Sequence, residues 1–192
     1  NYRIGVRFLT LADEWRQNLR LVRESAPVMM ELVEHLGQTA LLSVLSEDRA
    51  VCLHKCESQN ALKMVAKIGK KTPLPAAATG KILLAFSSPA FRERILSQPL
   101  VSYTPATIVD PEQLYRELER IREQGYATSV EELDPGAGSV AVPVCFPGRE
   151  VCAALTIAGP RFDYQEGLGR LIPVVMEAGR RISEGLSQKE GV

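Results

Sequence analysis

Small residues precede an apolar helical run at residues 73–86, PLPAAATGKILLAF. A helix that begins there leaves backbone N–H groups unpaired in its first turn, and its dipole places partial positive charge at the same end. Such a helix start favours carboxylates and phosphates. Ala76, Ala77 and Ala78 leave room for an anion, and the Thr79 hydroxyl can either cap the helix or reach a ligand. The segment is therefore a candidate anion site, although an ordinary turn and helix cap would have the same sequence.

Few other residues have a pattern typical of catalysis. The sequence has two histidines, His35 and His54, and neither accompanies a nucleophile elbow, because no Gly-x-Ser-x-Gly motif occurs. The pair Gly80-Lys81 resembles the end of a phosphate-binding loop. However, Pro75 replaces the first glycine of that motif and Ile82 replaces its Ser or Thr. The sequence thus argues against a nucleotide-binding loop and predicts no catalytic residue.

Two adjacent carboxylates, Glu131 and Glu132, end a predicted strand. Successive side chains of a strand point to opposite faces, so these two cannot work together as a general acid and base. One of them can face a pocket while the other faces solvent.

Four cysteines occur at positions 52, 56, 145 and 152. Cys52 and Cys56 would share one face of a strand, and a turn at Pro147-Gly148 could bring the other two together. A zinc site with His54 is conceivable, but the closely spaced Cys-x2-Cys pairs typical of such sites are absent. Reduced cysteines buried in strands are the favoured interpretation. We therefore predict no metal and no cofactor.

Composition restricts the class of protein. The 192 residues are 45% hydrophobic and 24% charged, with 23 basic and 23 acidic side chains and no net charge. A chain whose main role is to hold phosphate backbones would have a basic excess, so this segment is not expected to contact DNA itself. No run approaches the ~18 apolar residues of a membrane span, and no secretion leader is evident, so we expect a cytoplasmic protein without membrane contact. Asn1 is not an initiating Met, which suggests a piece of a longer chain.

Hydrophobic periodicity predicts an α+β domain with one mixed or antiparallel sheet flanked by helices. Asp110, Pro111 and Gly125 are strong boundary signals for one helix, and Pro27 should kink another helix or restart it. The predicted helices cover residues 4–15, 19–36, 78–86, 90–96, 111–124 and 167–186. The predicted strands cover residues 39–45, 50–56, 62–66, 126–131, 139–146 and 151–158.

Five motifs then occur in one order and spacing: Pro73–Phe86, Thr107–Asp110, Ile121–Glu132, Gly136–Val144 and Ala153–Pro160. This series resembles the effector-binding domain of IclR-family transcriptional regulators, whose pattern runs PLHATALGKALLA, TITD, IRxxGYAxxxEE, GxxxIAAPV and AALSISGP. The resemblance implies a GAF-like fold in which a helical insert and the sheet enclose a small pocket. It also implies that residues 1–18 form a linker helix from an N-terminal helix-turn-helix domain and that residues 19–188 form the effector domain.

The resemblance further implies a sensor for a small organic acid, most naturally a carboxylate, that controls DNA binding in a homodimer or tetramer and is not an enzyme. The alternatives from other classes are a GAF-like enzyme or nucleotide sensor, and a purely structural dimerisation module. Ser129 stands where several relatives have an acidic residue, which removes one charge from the pocket. The hydroxyls of Thr79, Ser139 and Thr156 among small side chains fit a compact, oxygen-rich effector. The ligand-contacting positions carried over from the family are Met64, Thr72, Ala78, Thr79, Ser129, Ala137, Ser139, Thr156 and Ala158.

Overall fold

The computed structural model describes residues 19–145 and 153–187. The helices are α1 (Arg20–Leu36), α2 (Ala77–Ala85), α3 (Pro89–Leu96), α4 (Pro111–Gln124), α5 (Phe162–Gln165) and α6 (Leu168–Ser187). The strands are β1 (Thr39–Ser46), β2 (Arg49–Cys56), β3 (Lys71–Pro73), β4 (Ala127–Val130), β5 (Ala137–Val144) and β6 (Ala153–Pro160). The linker helix predicted within residues 1–18 lies outside the described residues.

Local signals set the helix boundaries. The Asp110 carboxylate accepts hydrogen bonds from the backbone N–H groups of Glu112 and Gln113 at 3.3 and 3.0 Å, with Pro111 in the first turn. Gly125 ends the same helix at a φ of 79°, a left-handed conformation that glycine adopts without steric cost. The predicted boundaries of α4 are therefore confirmed. Gly37 ends α1 in the same way, at a φ of 67°.

All strand pairs of the sheet are antiparallel, in the order β3-β2-β1-β6-β5-β4. Of the two arrangements that the sequence leaves open, the antiparallel one is correct. β1 and β6 lie at the centre, so the two ends of the domain are joined through their pairing, as in Leu41 opposite Thr156.

The two faces of the sheet have different coverings. Alternate residues of a strand point to opposite faces, so one strand contributes to both. On one face, larger aliphatic side chains pack under α1 and α6; they include Leu42, Val140, Val142, Val144, Leu155 and Ile157. On the other face, small side chains lie under α2 and α4; they include Ala50, Ala127, Ala141 and Ala154.

One expectation about local structure needs correction, one open alternative is decided, and one short helix is additional. The strand predicted over residues 62–66 does not form; residues 57–70 are a loop (loop 57–70), and the third strand is Lys71–Pro73. Side chains bind the loop carbonyls instead of a strand ladder, since Thr39 Oγ1 donates to Met64 O at 3.0 Å and Lys55 Nζ donates to Ala66 O at 2.8 Å. Pro27 does not restart α1, which runs through it. The short helix α5 was not predicted.

Among the residues that the structure describes, no helix combines the length and the apolar character needed to cross a bilayer.

Candidate effector cavity

A cavity of about 90 Å³ lies on the small-residue face of the sheet, between the first turn of α2 and loop 57–70. Each water-sized group needs about 10–15 Å³ on the same scale, so the cavity holds on the order of six or more such groups. Its walls are formed by Leu41, Ser43, Cys52, Met64, Val65, Ala66, Lys67, Lys70, Thr72, Ala77, Thr79, Ser129, Glu132, Leu133, Asp134, Ala137, Gly138, Ser139, Thr156 and Ala158.

Small side chains at paired positions of the sheet create this space. Ser139 of β5 lies opposite both Ser129 of β4 and Ala158 of β6. Leu41 of β1 lies opposite Thr156, two residues before Ala158 on the same face. Because β4, β5 and β6 contribute only Ser, Thr, Ala and Gly to this wall, α2 does not fill the gap, and hydroxyl-bearing side chains line it.

The start of α2 does not have the predicted cap. Ala76 is the N-cap residue and no side chain caps the helix. Thr79 lies inside the first turn, where its hydroxyl lies 2.8 Å from that of Thr156. Of the two roles that the sequence leaves open for Thr79, the helix cap is therefore excluded; its hydroxyl joins α2 to β6 in the cavity wall. Ala77 has a φ of 67°, a conformation that costs a non-glycine residue about 1–3 kcal/mol.

Gly80 lets α2 approach the chain that precedes it. A Cβ atom at this position would lie 2.4 Å from the carbonyl oxygen of Leu74 and 2.6 Å from that of Pro73. Both are backbone atoms, so the clash could not be relieved by a side-chain rotation. The glycine is therefore explained by close packing, which agrees with the rejection of a phosphate-binding loop.

Lys81 forms a buried ionic cluster that sequence reasoning missed. Its side chain is 1% exposed, and its Nζ atom lies 2.7 Å from Glu132 Oε1 and 3.4 Å from Glu117 Oε1. Glu117 also accepts two hydrogen bonds from Arg120, at 3.0 and 2.7 Å. The cluster therefore connects the cavity wall, through α2, to the exposed face of α4. A lysine inside an apolar helix was the available signal, since such a residue is rarely buried without a partner.

The two adjacent glutamates lie in different environments. Glu132 is 9% exposed and lines the cavity. Burial raises the pKa of Glu132, and the ion pair with Lys81 opposes that shift. Glu131 instead accepts hydrogen bonds from the Gly136 backbone N–H at 2.7 Å and from Arg161 Nη1 at 2.9 Å, and these lower its pKa. Of the two carboxylates, Glu132 is thus the one that faces the pocket.

Two threonines hold this glutamate pair in place. Thr104 Oγ1 donates to the carbonyl of Glu131 at 2.5 Å, and Thr107 Oγ1 donates to the carbonyl of Glu132 at 2.7 Å. Thr107 begins the segment Thr107–Asp110. That motif therefore both supports the cavity wall and, through Asp110, begins α4.

Eight of the nine carried-over site residues line the cavity; they are Met64, Thr72, Thr79, Ser129, Ala137, Ser139, Thr156 and Ala158. Ala78 does not. Its side chain is fully buried in the apolar cluster beneath α2, beside residues such as Ile82 and Leu114. Ala77, one residue earlier, faces the cavity instead. The reason is that α2 begins at Ala77, which sets the direction in which each side chain of the first turn points.

No group of three or more His, Cys, Asp or Glu side chains suited to a metal is found within the described residues. Cys52, Cys56 and Cys145 have free thiols, and Cys52 is buried in the cavity wall. Cys152 lies outside the described residues. Burial raises the pKa of the Cys56 and Cys145 thiols, which favours the protonated form.

Comparison with known proteins agrees with this architecture. The family model described as "Bacterial transcriptional regulator IclR C-terminal" matches residues 15–184. The HTH-type transcriptional regulator KdgR of Escherichia coli is 34% identical over 186 residues, which cover 95% of this chain and 70% of the relative. The HTH-type transcriptional regulator BhcR of Paracoccus denitrificans is 31% identical over 172 residues, which cover 88% of this chain and 62% of the relative.

Solved structures show the same fold. An IclR homolog from Microbacterium hydrocarbonoxydans, complexed with 4-hydroxybenzoate, matches with a TM-score of 0.87 and 29% identity, over 96% of this chain and 75% of that chain. The C-terminal domain of Escherichia coli KdgR matches with a TM-score of 0.78 and 32% identity, over 88% of this chain and all of that chain. The predicted GAF-like α+β fold is thereby confirmed. The chain belongs to the IclR family of transcriptional regulators, in which it corresponds to the C-terminal domain.

Proposed function

We propose that this domain senses a small organic acid, which binds in the cavity and alters how the regulator holds its operator DNA through a helix-turn-helix domain. The observation that carries the proposal is the cavity itself, which lies against the first turn of α2 on a face lined by hydroxyls. The full regulator would act in the bacterial cytoplasm, where its DNA lies.

The carboxylate of the effector binds at the start of α2 in this proposal. Ala77 and Thr79, the first and third residues of that helix, both line the cavity. The first-turn N–H groups of a helix have no intrahelical partner, and the dipole adds partial positive charge at the same place. The Thr156 and Ser139 hydroxyls also line the cavity and can bond the rest of the ligand.

A relative supports this chemistry. The homolog from Microbacterium hydrocarbonoxydans was crystallised with 4-hydroxybenzoate, a small carboxylate. In this chain, Lys67 and Lys70 are exposed at the cavity wall, where their charge favours the approach of an anion.

A thermal-shift screen tests the proposal directly. Small carboxylates, with 4-hydroxybenzoate as the first probe, are compared with their uncharged methyl esters. At about 100 times its Kd a ligand stabilises the folded state by about 2.7 kcal/mol. For a domain of this size we expect the Tm to rise by roughly 5–11 °C. A panel in which no carboxylate raises the Tm more than its ester would contradict the proposal.

A pair of variants locates the anion. Ala77→Asp adds a carboxylate to the cavity wall at the start of α2, whereas Thr128→Asp adds it to a residue of β4 that is not part of the wall. Like charges repel strongly where water is excluded. We expect the first variant to lose most of the ligand-induced Tm rise and the second to keep it. Ala78→Glu is unsuitable for this purpose, because it would bury a charge in the apolar cluster.

Control of DNA and self-association remain predictions. Because the chain has no net charge, we expect the isolated domain not to bind operator DNA selectively, while the full-length regulator changes its operator affinity when the effector is added. Fluorescence anisotropy with labelled operator measures both.

We also predict a homodimer or tetramer, which sedimentation velocity at tens of micromolar would show.

A further inference from the structure

The carboxylate of Glu132 is only half satisfied by the protein. Its Oε1 atom pairs with Lys81 at 2.7 Å. Its Oε2 atom is closed to solvent and has no hydrogen-bond partner among the described residues. A buried acceptor without a donor costs about 1–3 kcal/mol, and more when it is charged. This is an unusual arrangement for a residue that also forms part of a cavity wall.

The surrounding charges do not compensate for it. Lys81 lies between two carboxylates, those of Glu132 and Glu117. Arg120 pairs with Glu117 on the other side, so the four ionised groups of the cluster have no net charge. Lys81 is therefore already committed and cannot serve as the counter-ion of an anionic effector. A carboxylate placed beside Glu132 would be repelled, so the anionic end of the effector must lie away from it.

The Ser129 hydroxyl is the other polar group near this carboxylate. A hydrogen bond from this hydroxyl to the carboxylate lowers the pKa of Glu132, yet the Oε2 atom is left without a partner. Ser129 is itself in the cavity wall. Both residues line the cavity, so a modest rotation of the Glu132 carboxylate would bring Oε2 within reach of a ligand that donates to the glutamate and bonds the serine.

We propose that Glu132 accepts a hydrogen bond from the effector, and that the effector is therefore a small carboxylic acid with a hydroxyl or amino group remote from its carboxylate. The inference rests on the proposed function and adds the second functional group of the ligand. A site built around such an acceptor rejects analogues that lack the donor, because binding them leaves the acceptor buried and unpaired. Glu132 is then a specificity-determining residue, and the start of α2 binds the other end of the molecule.

Matched ligand pairs test this inference by calorimetry. The probes are benzoate with 4-hydroxybenzoate, and propionate with 3-hydroxypropionate. We expect at least one hydroxylated probe to bind wild type about tenfold or more tighter than its parent acid, which corresponds to about 1.4 kcal/mol. In Glu132→Gln the amide keeps an oxygen for Lys81 but presents N–H donors where Oε2 was. In this variant we expect the Kd values of the hydroxylated acid and its parent acid to differ by no more than about threefold.

Glu131→Gln is the matched control, since this neighbour pairs with Arg161 and does not line the cavity. It should keep the full preference. If Glu132→Gln does not fold, the ¹³C shift of the Glu132 carboxylate in the labelled wild type decides the question. It should move with the hydroxylated ligand and stay unchanged with the parent acid.

The possible failures are distinguishable. Equal affinity for both members of every pair, or a preference that survives Glu132→Gln, overturns the inference and leaves the proposed function intact. If no carboxylate binds at all, the proposed function fails and the inference fails with it.

Discussion

The two faces of the sheet are built by the same strands yet serve different purposes. Toward α1 and α6, β6 presents Leu155 and Ile157, which are completely buried in an aliphatic core. Toward α2 and loop 57–70, the alternate residues Thr156 and Ala158 are small and leave a cavity. Strand alternation therefore lets one segment of chain supply stability on one side and a binding site on the other. Substitutions at neighbouring positions should separate these two contributions.

The largest expected effect is at Ile157 on the core face. Ile157→Ala leaves a cavity in a close-packed core, so the free energy of unfolding should fall by about 2–5 kcal/mol. Thr156→Val, one residue earlier, removes the hydroxyl contact with Thr79 and should cost only about 0.5–1.5 kcal/mol. Urea denaturation measures both. Ligand affinity should respond in the opposite order, and equal stability losses would show that the faces are not distinct.

The packing of α2 under the cavity is tested at Gly80. Gly80→Ala places a Cβ against two backbone carbonyls, so we expect a loss of about 1–3 kcal/mol from overpacking. Gly169 lies in α6 with no atom within 4 Å of a new Cβ. There the same change should stabilise by about 0.5–1 kcal/mol, because alanine is the better helix former. Thermal denaturation of both variants, with wild type alongside, gives the comparison.

A smaller effect is expected from the strained residue at the cavity. Ala77→Gly relieves a left-handed alanine and should raise stability by up to about 1 kcal/mol, since part of the strain of about 1–2 kcal/mol is offset by the flexibility of glycine. Gly69 has a φ of 80° with open space around it. The reverse change Gly69→Ala should therefore destabilise by about 1–2 kcal/mol. A destabilised Ala77→Gly variant would mean that its methyl group contributes more through contacts than it costs in strain.

The smallest effect concerns the pH dependence of stability. The folded-state pKa of Glu132 is raised by burial, so the native state binds more protons than the unfolded chain above the usual Glu pKa of about 4.3. The stabilisation that protonated Glu132 contributes is fully present below the usual Glu pKa and is lost as the pH rises through the folded-state pKa. Glu132→Gln should remove this loss, which urea denaturation from acid to neutral pH would show.

Glu131 should contribute a pH dependence of stability with the opposite sign. Its pKa is lowered by the Gly136 N–H and Arg161, so its contribution is present above the usual Glu pKa and is lost on acidification. Glu131→Gln should therefore flatten the acid side of the same profile. Identical profiles for the two variants would contradict the difference between these environments.

Much of the fold was predictable because its signals are local. Asp110, Pro111 and Gly125 set the ends of α4 through contacts within a few residues, and strand alternation placed most of the sheet. The alternating apolar residues at 62–66, within loop 57–70, predict a strand that does not form, because the loop carbonyls accept hydrogen bonds from the side chains of Thr39 and Lys55. The prediction that the Ala78 side chain faces the cavity is wrong for a similar reason. The direction of that side chain depends on where α2 begins, and Ala77 occupies a conformation that its residue type does not suggest.

By itself the sequence determined the family, the small-residue character of the cavity and most of the residues around it. The small-residue character follows from residue types at short spacings, whereas the family and the residues around the cavity came from the resemblance of five ordered motifs to that family. Only the tertiary structure decided that Lys81 meets Glu132, 51 residues away, and that Thr79 meets Thr156, 77 residues away. It also decided which of two adjacent glutamates faces the cavity. Such pairings depend on how β4, β6 and α2 pack together, and a one-dimensional pattern does not contain that geometry.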